Sequence, residues 1–193
     1  MPKIETFNRD LVLTQAAEVF QEKGYNATSM QDLVDATGLN RSSIYNSFVS
    51  KLDLYLDCLK SYETKFNRDT SKVLLKAQNP LHAIELIFKL YINVITVDKY
   101  DKGCLIGNCK AEMANQEKVI TTFLENNQKN MLLLLEDLIV KGQEENLINT
   151  KQNPKVYALY LFSSLQGFRM TGILITDRTQ LKGIANSVLQ SIS

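Results

Sequence analysis

The sequence predicts an all-α protein. Apolar residues recur at helical spacing along the chain, and no segment shows the strict alternation of a half-buried strand. The chain has only three prolines and eight glycines, and most of them fall between the periodic segments, where helices are expected to end. Of its 193 residues, 45% are hydrophobic and 22% charged, so the chain can bury a sizeable core and disorder is not expected.

Capping residues and helix breakers delimit nine helices. We place them at 7–23, 29–36, 41–47, 51–78, 80–97, 105–113, 117–142, 154–175 and from 177 or 179 to 192. Thr6 is expected to cap the first helix, and Gly24 to end it. Thr28 followed by Gln31 has the spacing of a capping box for the second helix.

The later helices have their own start signals. Ser50 precedes the fourth helix as a cap, and Pro80 and Pro154 stand where a first-turn proline belongs in helices five and eight. A break is expected over residues 98–103, before the short sixth helix. The sequence therefore predicts a chain of helices joined by short connections.

Helices two and three have the form of a helix-turn-helix. They are short and are joined by a tight turn at Gly38, where glycine can take a positive φ, and Asn40 caps the helix that follows. In such a motif the second helix enters the DNA major groove, and its early residues contact base edges. Ile44 and Phe48, four residues apart, are expected to hold this helix against the protein.

The rest of the third helix carries polar side chains that can bind DNA. An arginine can donate to guanine O6 and N7, an asparagine can pair with adenine, and serines can contact bases or phosphates. The side chains that could reach base edges are Arg41, Ser42, Ser43 and Asn46. Tyr45 and Lys51 lie beside this face and could contact phosphates, and the N-terminal amides of helices two and four should add positive charge.

The charge of this region is unusual for a DNA-binding protein. The whole chain has a formal net charge of +1, and residues 1–51 contain five Lys and Arg against six Asp and Glu. Because each phosphate contacted by a cation adds to the salt dependence of binding, few ionic contacts and weak non-specific binding are expected. Affinity should then depend more on dimerisation and on neutral hydrogen bonds.

The segment VLTQAAEVFQEKGYNATSMQDLVDATGLNRSSIYNSFVSKLDLY, which begins at Val12, resembles the N-terminal domain of the TetR family of transcriptional regulators. The positions that carry the resemblance are Ala16, Phe20, Gly24, Tyr25, Thr28, Ser29, Gly38, Tyr45, Phe48, Ser50, Lys51 and Leu54. The resemblance implies a DNA-binding head at residues 1–49 and a larger helical domain at 50–193, which dimerises and usually binds a small effector.

The resemblance also assigns roles to individual residues. Thr28, Tyr45 and Lys51 fall where the family commonly contacts phosphates. Val34 departs from the alanine common at its position, so we expect the angle between helices two and three to differ slightly from the usual one. The full set expected to contact double-stranded DNA is Thr28, Ser29, Asn40, Arg41, Ser42, Ser43, Tyr45, Asn46 and Lys51.

Two later segments resemble a subset of the family whose last two helices form a four-helix bundle with a second copy. They are GCLIGNCKAEMA, at 103–114, and SLQGFRMTGILITDRTQLKGIANSVL near the C-terminus. Residues 156–175 are apolar almost all round, which independently fits a helix buried by its own core and by a partner. Their length could suit a membrane span, but Ser163, Ser164, Gln166 and Arg169 at the centre argue against one.

An effector cavity is expected among helices five to eight. Its predicted lining residues are Phe88, Tyr91, Ile92, Ile95, Cys104, Leu105, Asn108, Met113, Phe123, Phe162 and Gln166. Apolar residues with a few polar groups favour a hydrophobic or aromatic effector, although a core stripe would have the same pattern. A collapsed cavity is a further alternative, with no effector or with a protein partner in its place.

The cysteines and the single histidine allow two other functions. Cys104, near the start of helix six, could act as a redox or electrophile sensor, although a buried inert thiol has the same sequence pattern. The best pair for a cysteine-dependent enzyme is Cys104 with His82, in different helices and without a catalytic motif. The spacing of Cys104 and Cys109 does not match a zinc knuckle, so no metal or cofactor is expected.

Taken together, these patterns predict a homodimeric transcriptional regulator that acts as a repressor on a palindromic operator and is not an enzyme. The N-terminal residues lack the apolar stretch of a secretory signal, so a cytoplasmic location is expected.

Overall fold

The computed structural model describes residues 7–97 and 103–193, and these residues form nine α-helices and no strand. The helices are α1 (Arg9–Lys23), α2 (Met30–Thr37), α3 (Arg41–Phe48), α4 (Lys51–Leu74), α5 (Pro80–Val97), α6 (Leu105–Met113), α7 (Lys118–Glu144), α8 (Pro154–Gly172) and α9 (Arg178–Ile192). The predicted all-α fold is confirmed. The expected break at 98–103 falls mostly outside the described residues.

The chain divides into two compact units. The first contains the described residues up to Phe66 together with Cys104–Leu124, so it holds α1 to α3, the first part of α4, α6 and the first residues of α7. In this unit α1 packs against α2 and α6, and α2 packs against α3. Phe20, Leu33 and Cys109 belong to its continuous buried core. The compact unit around the helix-turn-helix therefore includes α6, which lies beyond the predicted head at 1–49.

The second unit is built around α5, α8 and α9. It contains the described residues between Asn67 and Gly103, together with Glu125–Ser193. Each of these three helices packs against the other two. The rings of Phe88 and Phe168 meet edge to face, with 5.8 Å between their centroids. A Cβ added to Gly172 on α8 would lie 2.6 Å from Ile95 Cδ1 on α5, so only glycine permits this close approach.

The first two helices begin differently from the prediction. Asn8 caps α1, and its side chain accepts a hydrogen bond from the N–H of Leu11 at 3.1 Å, while Thr6 lies outside the described residues. The capping box of α2 consists of Ser29 and Asp32. The predicted box of Thr28 and Gln31 is therefore wrong, because Thr28 is buried before the helix and donates its hydroxyl to Gly24 O.

Other helix ends differ by a few residues. The fourth helix was predicted to continue to 78, but α4 ends at Leu74, since the side chain of Asn79 must already cap α5 by accepting from the N–H of His82 at 2.8 Å. The eighth helix was predicted to reach 175, and α8 ends at Gly172. Ser50, Pro80 and Pro154 begin their helices as predicted.

Among the described residues, α5 is the one helix with the length and apolar composition needed to cross a bilayer. From sequence, the helix weighed and rejected for this role was α8, and α5 was not considered. One side of α5 is buried in the second unit and includes Ile84, Ile87, Phe88 and Ile95. This one-sided burial is the pattern of a core helix.

Candidate nucleic-acid interface

The inner side of α3 is fixed by two apolar residues. Ile44 is fully buried and Phe48 is 2% exposed, as the sequence predicted. The Phe48 ring lies 6.4 Å from that of Phe7, and the guanidinium carbon of Arg9 lies 4.4 Å from the Phe48 centroid. Because packing and a cation–π contact hold this side, the opposite side of α3 is presented to solvent in a defined orientation.

The turn before α3 follows the predicted geometry. Gly38 ends α2 with φ 68°, in the left-handed region, and its N–H donates to Val34 O at 2.9 Å. Asn40 then caps α3, and its side-chain oxygen accepts from the N–H of Ser43 at 2.8 Å. These bonds set the angle at which α3 leaves the turn, and they occupy the Asn40 oxygen that could otherwise contact DNA.

The outer face of α3 is polar and accessible. Arg41, Ser42, Tyr45 and Asn46 are exposed, and Ser43 is half-buried. The guanidinium carbon of Arg41 lies 6.0 Å from the centroid of the Tyr45 ring, one helical turn later. The structure therefore brings the predicted base-reading side chains together on one face.

The N-terminus of α2 already holds a carboxylate. Asp32 accepts from the N–H of Ser29 at 2.8 Å and from the ammonium of Lys23 at 2.6 Å. The bond from Lys23, followed by those from Ser29, lowers the pKa of Asp32, and the same ion pair raises the pKa of Lys23. The Ser29 hydroxyl bonds within this box, and its contact with DNA stays a prediction.

The N-terminus of α4 is arranged in the same way. Asp53 donates its N–H to Ser50 Oγ at 3.0 Å, and its carboxylate accepts from the same hydroxyl. The positive charge expected at the starts of α2 and α4 is therefore offset by the negative charges of Asp32 and Asp53. The sequence interpretation overlooked this compensation.

Thr28 is also placed differently from the prediction. Its side chain is 1% exposed, and its hydroxyl donates to Gly24 O at 2.5 Å. A buried hydroxyl engaged in this way is not presented to a phosphate. The expectation of a side-chain contact from Thr28 is corrected: this threonine closes the turn between α1 and α2.

Lys51 is bound to the turn between α1 and α2. Its ammonium donates to Tyr25 O at 2.9 Å and to Thr28 O at 2.8 Å, and it lies 4.3 Å from the centroid of the Tyr25 ring. An ammonium has three donors, and these carbonyls take two of them. Lys51 therefore joins the start of α4 to the start of the helix-turn-helix, a role that sequence reasoning missed.

A second missed residue is Glu112 on α6. Its two carboxylate oxygens accept hydrogen bonds from the N–H groups of Tyr25, at 2.8 Å, and Asn26, at 2.7 Å. Glu112 is 86 residues from Asn26 along the chain, so no local pattern could have indicated the pair.

The predicted effector residues are divided between the two compact units. In the first, Leu105 and Met113 are buried and Cys104, Asn108 and Phe123 are half-buried. In the second, Phe88, Tyr91, Ile92, Ile95 and Phe162 are buried and Gln166 is half-buried. The side chain of Asn108 donates to Gln21 O at 3.4 Å, within the first unit. A shared cavity lined by this set stays a prediction.

The three thiols differ in exposure. Cys58 and Cys109 are buried, and burial raises the pKa of each thiol. Cys104 is half-buried just before α6, and the hydroxyl of Tyr62 lies 3.8 Å from its sulfur. The ring nitrogen Nδ1 of His82 accepts from the N–H of Gln78 at 3.2 Å. Within residues 7–97 and 103–193, no cluster of three or more His, Cys, Asp or Glu side chains could hold a metal ion.

Two family models match this chain. Residues 12–58 match the model of bacterial regulatory proteins of the tetR family, and residues 80–188 match the tetracyclin repressor-like C-terminal domain. Together they span both the helix-turn-helix and most of the larger domain. The chain belongs to the TetR family. It is thus a transcriptional regulator of the helix-turn-helix class, as the resemblance implied.

Individual TetR regulators are similar over most of their length. An uncharacterised HTH-type regulator of Bacillus subtilis, YezE, is 32% identical over 142 residues, which cover 74% of this chain and 71% of YezE. The repressor DhaR of Mycobacterium sp. is 29% identical over 160 residues, 82% of this chain and 79% of DhaR.

Solved TetR structures share the whole fold. A cysteine-substituted variant of the regulator CifR, in complex with a 26-base-pair operator duplex, superimposes with a TM-score of 0.86 at 20% identity and covers 100% of both chains. Reduced NemR of E. coli has a TM-score of 0.79 at 16% identity and covers 96% of both chains.

Proposed function

We propose that this TetR regulator is a homodimeric repressor that binds a palindromic operator through α3 and is released by a small, hydrophobic effector. The observation that carries the proposal is the two-sided character of α3. Ile44 and Phe48 are buried, while Arg41, Tyr45 and Asn46 are exposed on the opposite face. A short helix held by its apolar side and polar on the other suits insertion into a major groove.

The charge distribution favours reading by hydrogen bonds. With Asp32 and Asp53 at the starts of α2 and α4, the head attracts phosphates weakly, so Arg41 and Asn46 must contribute much of the affinity. The third donor of Lys51 can still reach a phosphate, in addition to its bonds within the protein. The variant of CifR, a chain of the same fold, is solved in complex with operator DNA, which supports DNA binding by this fold.

The dimer is proposed to form along α8 and α9. Val156, Tyr160, Ser163, Gly167 and Met170 are all exposed and follow one another on α8 at alternating spacings of four and three residues. This spacing produces a single seam on a helix, as in bundles of helices. A Cβ added to Gly167 would meet nothing within 4 Å in one chain, so a partner helix would explain a glycine in mid-helix.

The named relatives include regulators of both signs. DhaR and ComR are named repressors, whereas FasR is named an activator. The predicted effector residues in the second unit are aromatic or aliphatic except Gln166, which supports an apolar effector. Release requires the effector to bind the state with low DNA affinity more tightly than the state with high affinity. We place the regulator in the cytoplasm, where the DNA is found.

Two experiments in sequence test the proposal: selection of bound duplexes from a random pool, and gel-shift titration of the enriched duplexes. We expect palindromic sequences to be enriched and to bind far more tightly than a scrambled duplex of the same composition. Enrichment of no sequence at low salt would contradict operator binding. A thermal-shift screen of hydrophobic compounds against the dimer tests the effector, because a ligand of the folded state raises the melting temperature.

A second candidate function is thiol-based sensing through Cys104. Of the three cysteines, it is the one with an accessible side chain, and it stands at the N-terminus of α6 beside the hydroxyl of Tyr62. We expect a thiol-reactive probe to label Cys104 before Cys58 and Cys109, and the labelling to weaken duplex binding. Equal labelling of all three, or labelling without loss of binding, would contradict sensing. The Cys104 and His82 enzyme is not proposed, since His82 Nδ1 already accepts a backbone hydrogen bond.

A further inference from the structure

We propose that Glu112 is a positioning residue that couples α6 to the orientation of the helix-turn-helix. The inference rests on the proposed DNA-binding function and names a route by which that function is regulated.

The carboxylate of Glu112 binds two successive backbone amides. Its Oε2 accepts from the N–H of Tyr25 at 2.8 Å, and its Oε1 accepts from the N–H of Asn26 at 2.7 Å. Each oxygen thus binds one of two successive amides, and hydrogen bonds to an ionised acceptor are about twice as strong as neutral ones. A side chain of α6 therefore fixes the peptide planes at the end of α1.

The same turn is also bound by Lys51, at the start of α4. The ammonium of Lys51 binds the carbonyls of Tyr25 and Thr28, at 2.9 and 2.8 Å. The amides of the turn are thus bound by α6, and its carbonyls by α4. The turn leads directly into Ser29, the cap of α2, and α2 packs against α3. A shift of either anchor therefore changes the direction in which the helix-turn-helix begins.

Gly24 leaves the space that the Glu112 carboxylate occupies. Gly24 has φ 80°, and a Cβ added to it would lie 2.9 Å from Glu112 Oε2. The glycine that ends α1 therefore has two functions: it adopts a backbone conformation that other residues avoid, and it leaves space for the carboxylate. The contact is built from both sides of the interface between α1 and α6.

These contacts give α6 a direct connection to DNA binding. The helix carries Leu105, Asn108 and Met113, which belong to the predicted effector set. An effector that displaced α6 would pull Glu112 away from the turn and leave two amides without their acceptor. Asn108 also joins α6 to α1 through Gln21 O, but Glu112 is the side chain of α6 that binds the amides of the turn. Substitution of Glu112 therefore removes the contact with the turn and leaves the other contacts between α6 and α1 in place.

Glu112→Ala and Glu112→Gln test the proposal, with Glu117→Ala as the matched control. Glu117 is exposed and acts on the same turn electrostatically. Burial raises the pKa of Tyr25, and the negative charge of Glu117 is the second cause of that rise. Removing either glutamate takes one negative charge from the same neighbourhood. By charge alone, both variants should bind DNA slightly more tightly. If Glu112 positions the turn, Glu112→Ala should instead bind DNA more weakly than the parent, and Glu117→Ala should not.

The first readout is affinity for a duplex selected from the random pool and for a scrambled duplex. We expect Glu112→Ala to weaken binding of the selected duplex about tenfold and to leave the scrambled duplex unchanged or tighter. Glu112→Gln should lie between Glu112→Ala and the parent, because one amide keeps an acceptor. A merely structural role would lower both affinities together. If Glu112→Ala matched Glu117→Ala, the proposal would be overturned.

The second readout needs no DNA. In ¹H–¹⁵N spectra of the full-length dimer, Glu112→Ala should move the amide signals of Tyr25 and Asn26 and also those of α2 and α3. Changes confined to the turn would overturn the coupling, whether or not any duplex binds. If the parent bound no duplex but the spectral changes in Glu112→Ala did reach α3, the proposed function would be refuted and the coupling would stand. Should Glu112→Ala not fold, Glu112→Gln supplies both readouts.

Discussion

Ser50 donates its backbone N–H to the carbonyl of Phe48 at 2.6 Å, which closes a three-residue turn between α3 and α4. The residue enclosed by this turn, Val49, has φ 61° and ψ −52° and is 76% exposed. This is the geometry of the γ-turn that is rare because it is strained, and a β-branched residue fits it poorly.

Val49→Gly should therefore raise the free energy of unfolding by about 1 kcal/mol, because glycine adopts positive φ without steric cost. Urea denaturation followed by circular dichroism measures the change. Val140→Gly is the control, since Val140 is also exposed but lies inside α7, where glycine should lower stability by about 0.5 kcal/mol. A loss of stability in both variants would show that the turn at Val49 is not strained.

Arg41→Ala should cost about 1–3 kcal/mol on the preferred duplex and relax the preference at one base pair, if its guanidinium reads a guanine. Arg68→Ala removes the same charge from the exposed face of α4 and serves as control. Gel-shift titration against duplexes that differ at single positions gives both quantities. Equal binding of every duplex by Arg41→Ala and the parent would remove Arg41 from the reading face.

Gly167→Glu should convert the dimer into a monomer, because a charged side chain would be buried in the proposed seam of α8. Light scattering after gel filtration should then give 21.9 kDa for the variant and about twice that mass for the parent. Leu133→Glu introduces the same side chain at an exposed position of α7 and should leave the dimer intact. A dimeric Gly167→Glu variant would place the interface elsewhere.

The ion pair of Asp32 and Lys23 predicts a pH-dependent stability difference. The pKa of Asp32 is lower in the folded protein than its ordinary 3.8, chiefly because of Lys23. Its ionised form therefore stabilises the fold at neutral pH, and this contribution is lost as the pH falls below about 3.8 through the folded pKa.

Urea denaturation at pH 7 and pH 3 should accordingly show Asp32→Asn less stable than the parent at pH 7, with a smaller difference at pH 3. Lys23→Met should show the same trend, because it removes the largest cause of the shift. A difference that stayed constant between the two pH values would exclude this ion pair as its source.

Local features of the helix-turn-helix could be predicted from sequence because their causes are local. Gly38 takes the left-handed conformation, Asn40 caps α3, and Ile44 and Phe48 are buried. Each of these depends on residues within one or two helical turns. The helix bounds also follow from such signals, with errors of a few residues at frayed ends.

The contacts that position the motif could not be predicted because they join distant parts of the chain. Lys51 was expected to bind phosphate, since its neighbours in sequence do not reveal that the carbonyls of Tyr25 and Thr28 lie beside its ammonium. Glu112 lies in the segment 103–114 that resembles a subset of the family, but nothing in that segment indicates that it binds the amides of Tyr25 and Asn26. The exchange of Thr28 for Ser29 as the cap of α2 has a related cause, because burial of Thr28 in the tertiary structure decided between two adequate capping residues.

The close approach of Gly172 to Ile95 restricts how these two positions can evolve. A methyl group at 172 would overlap the isoleucine side chain, because the added carbon would lie 2.6 Å from Cδ1 on one branch and 3.0 Å from Cγ2 on the other. Substitutions at the two sites should therefore be correlated among orthologues, with any larger residue at 172 accompanied by a smaller one at 95. A larger residue at either position alone would increase the distance between α5 and α8 where they cross.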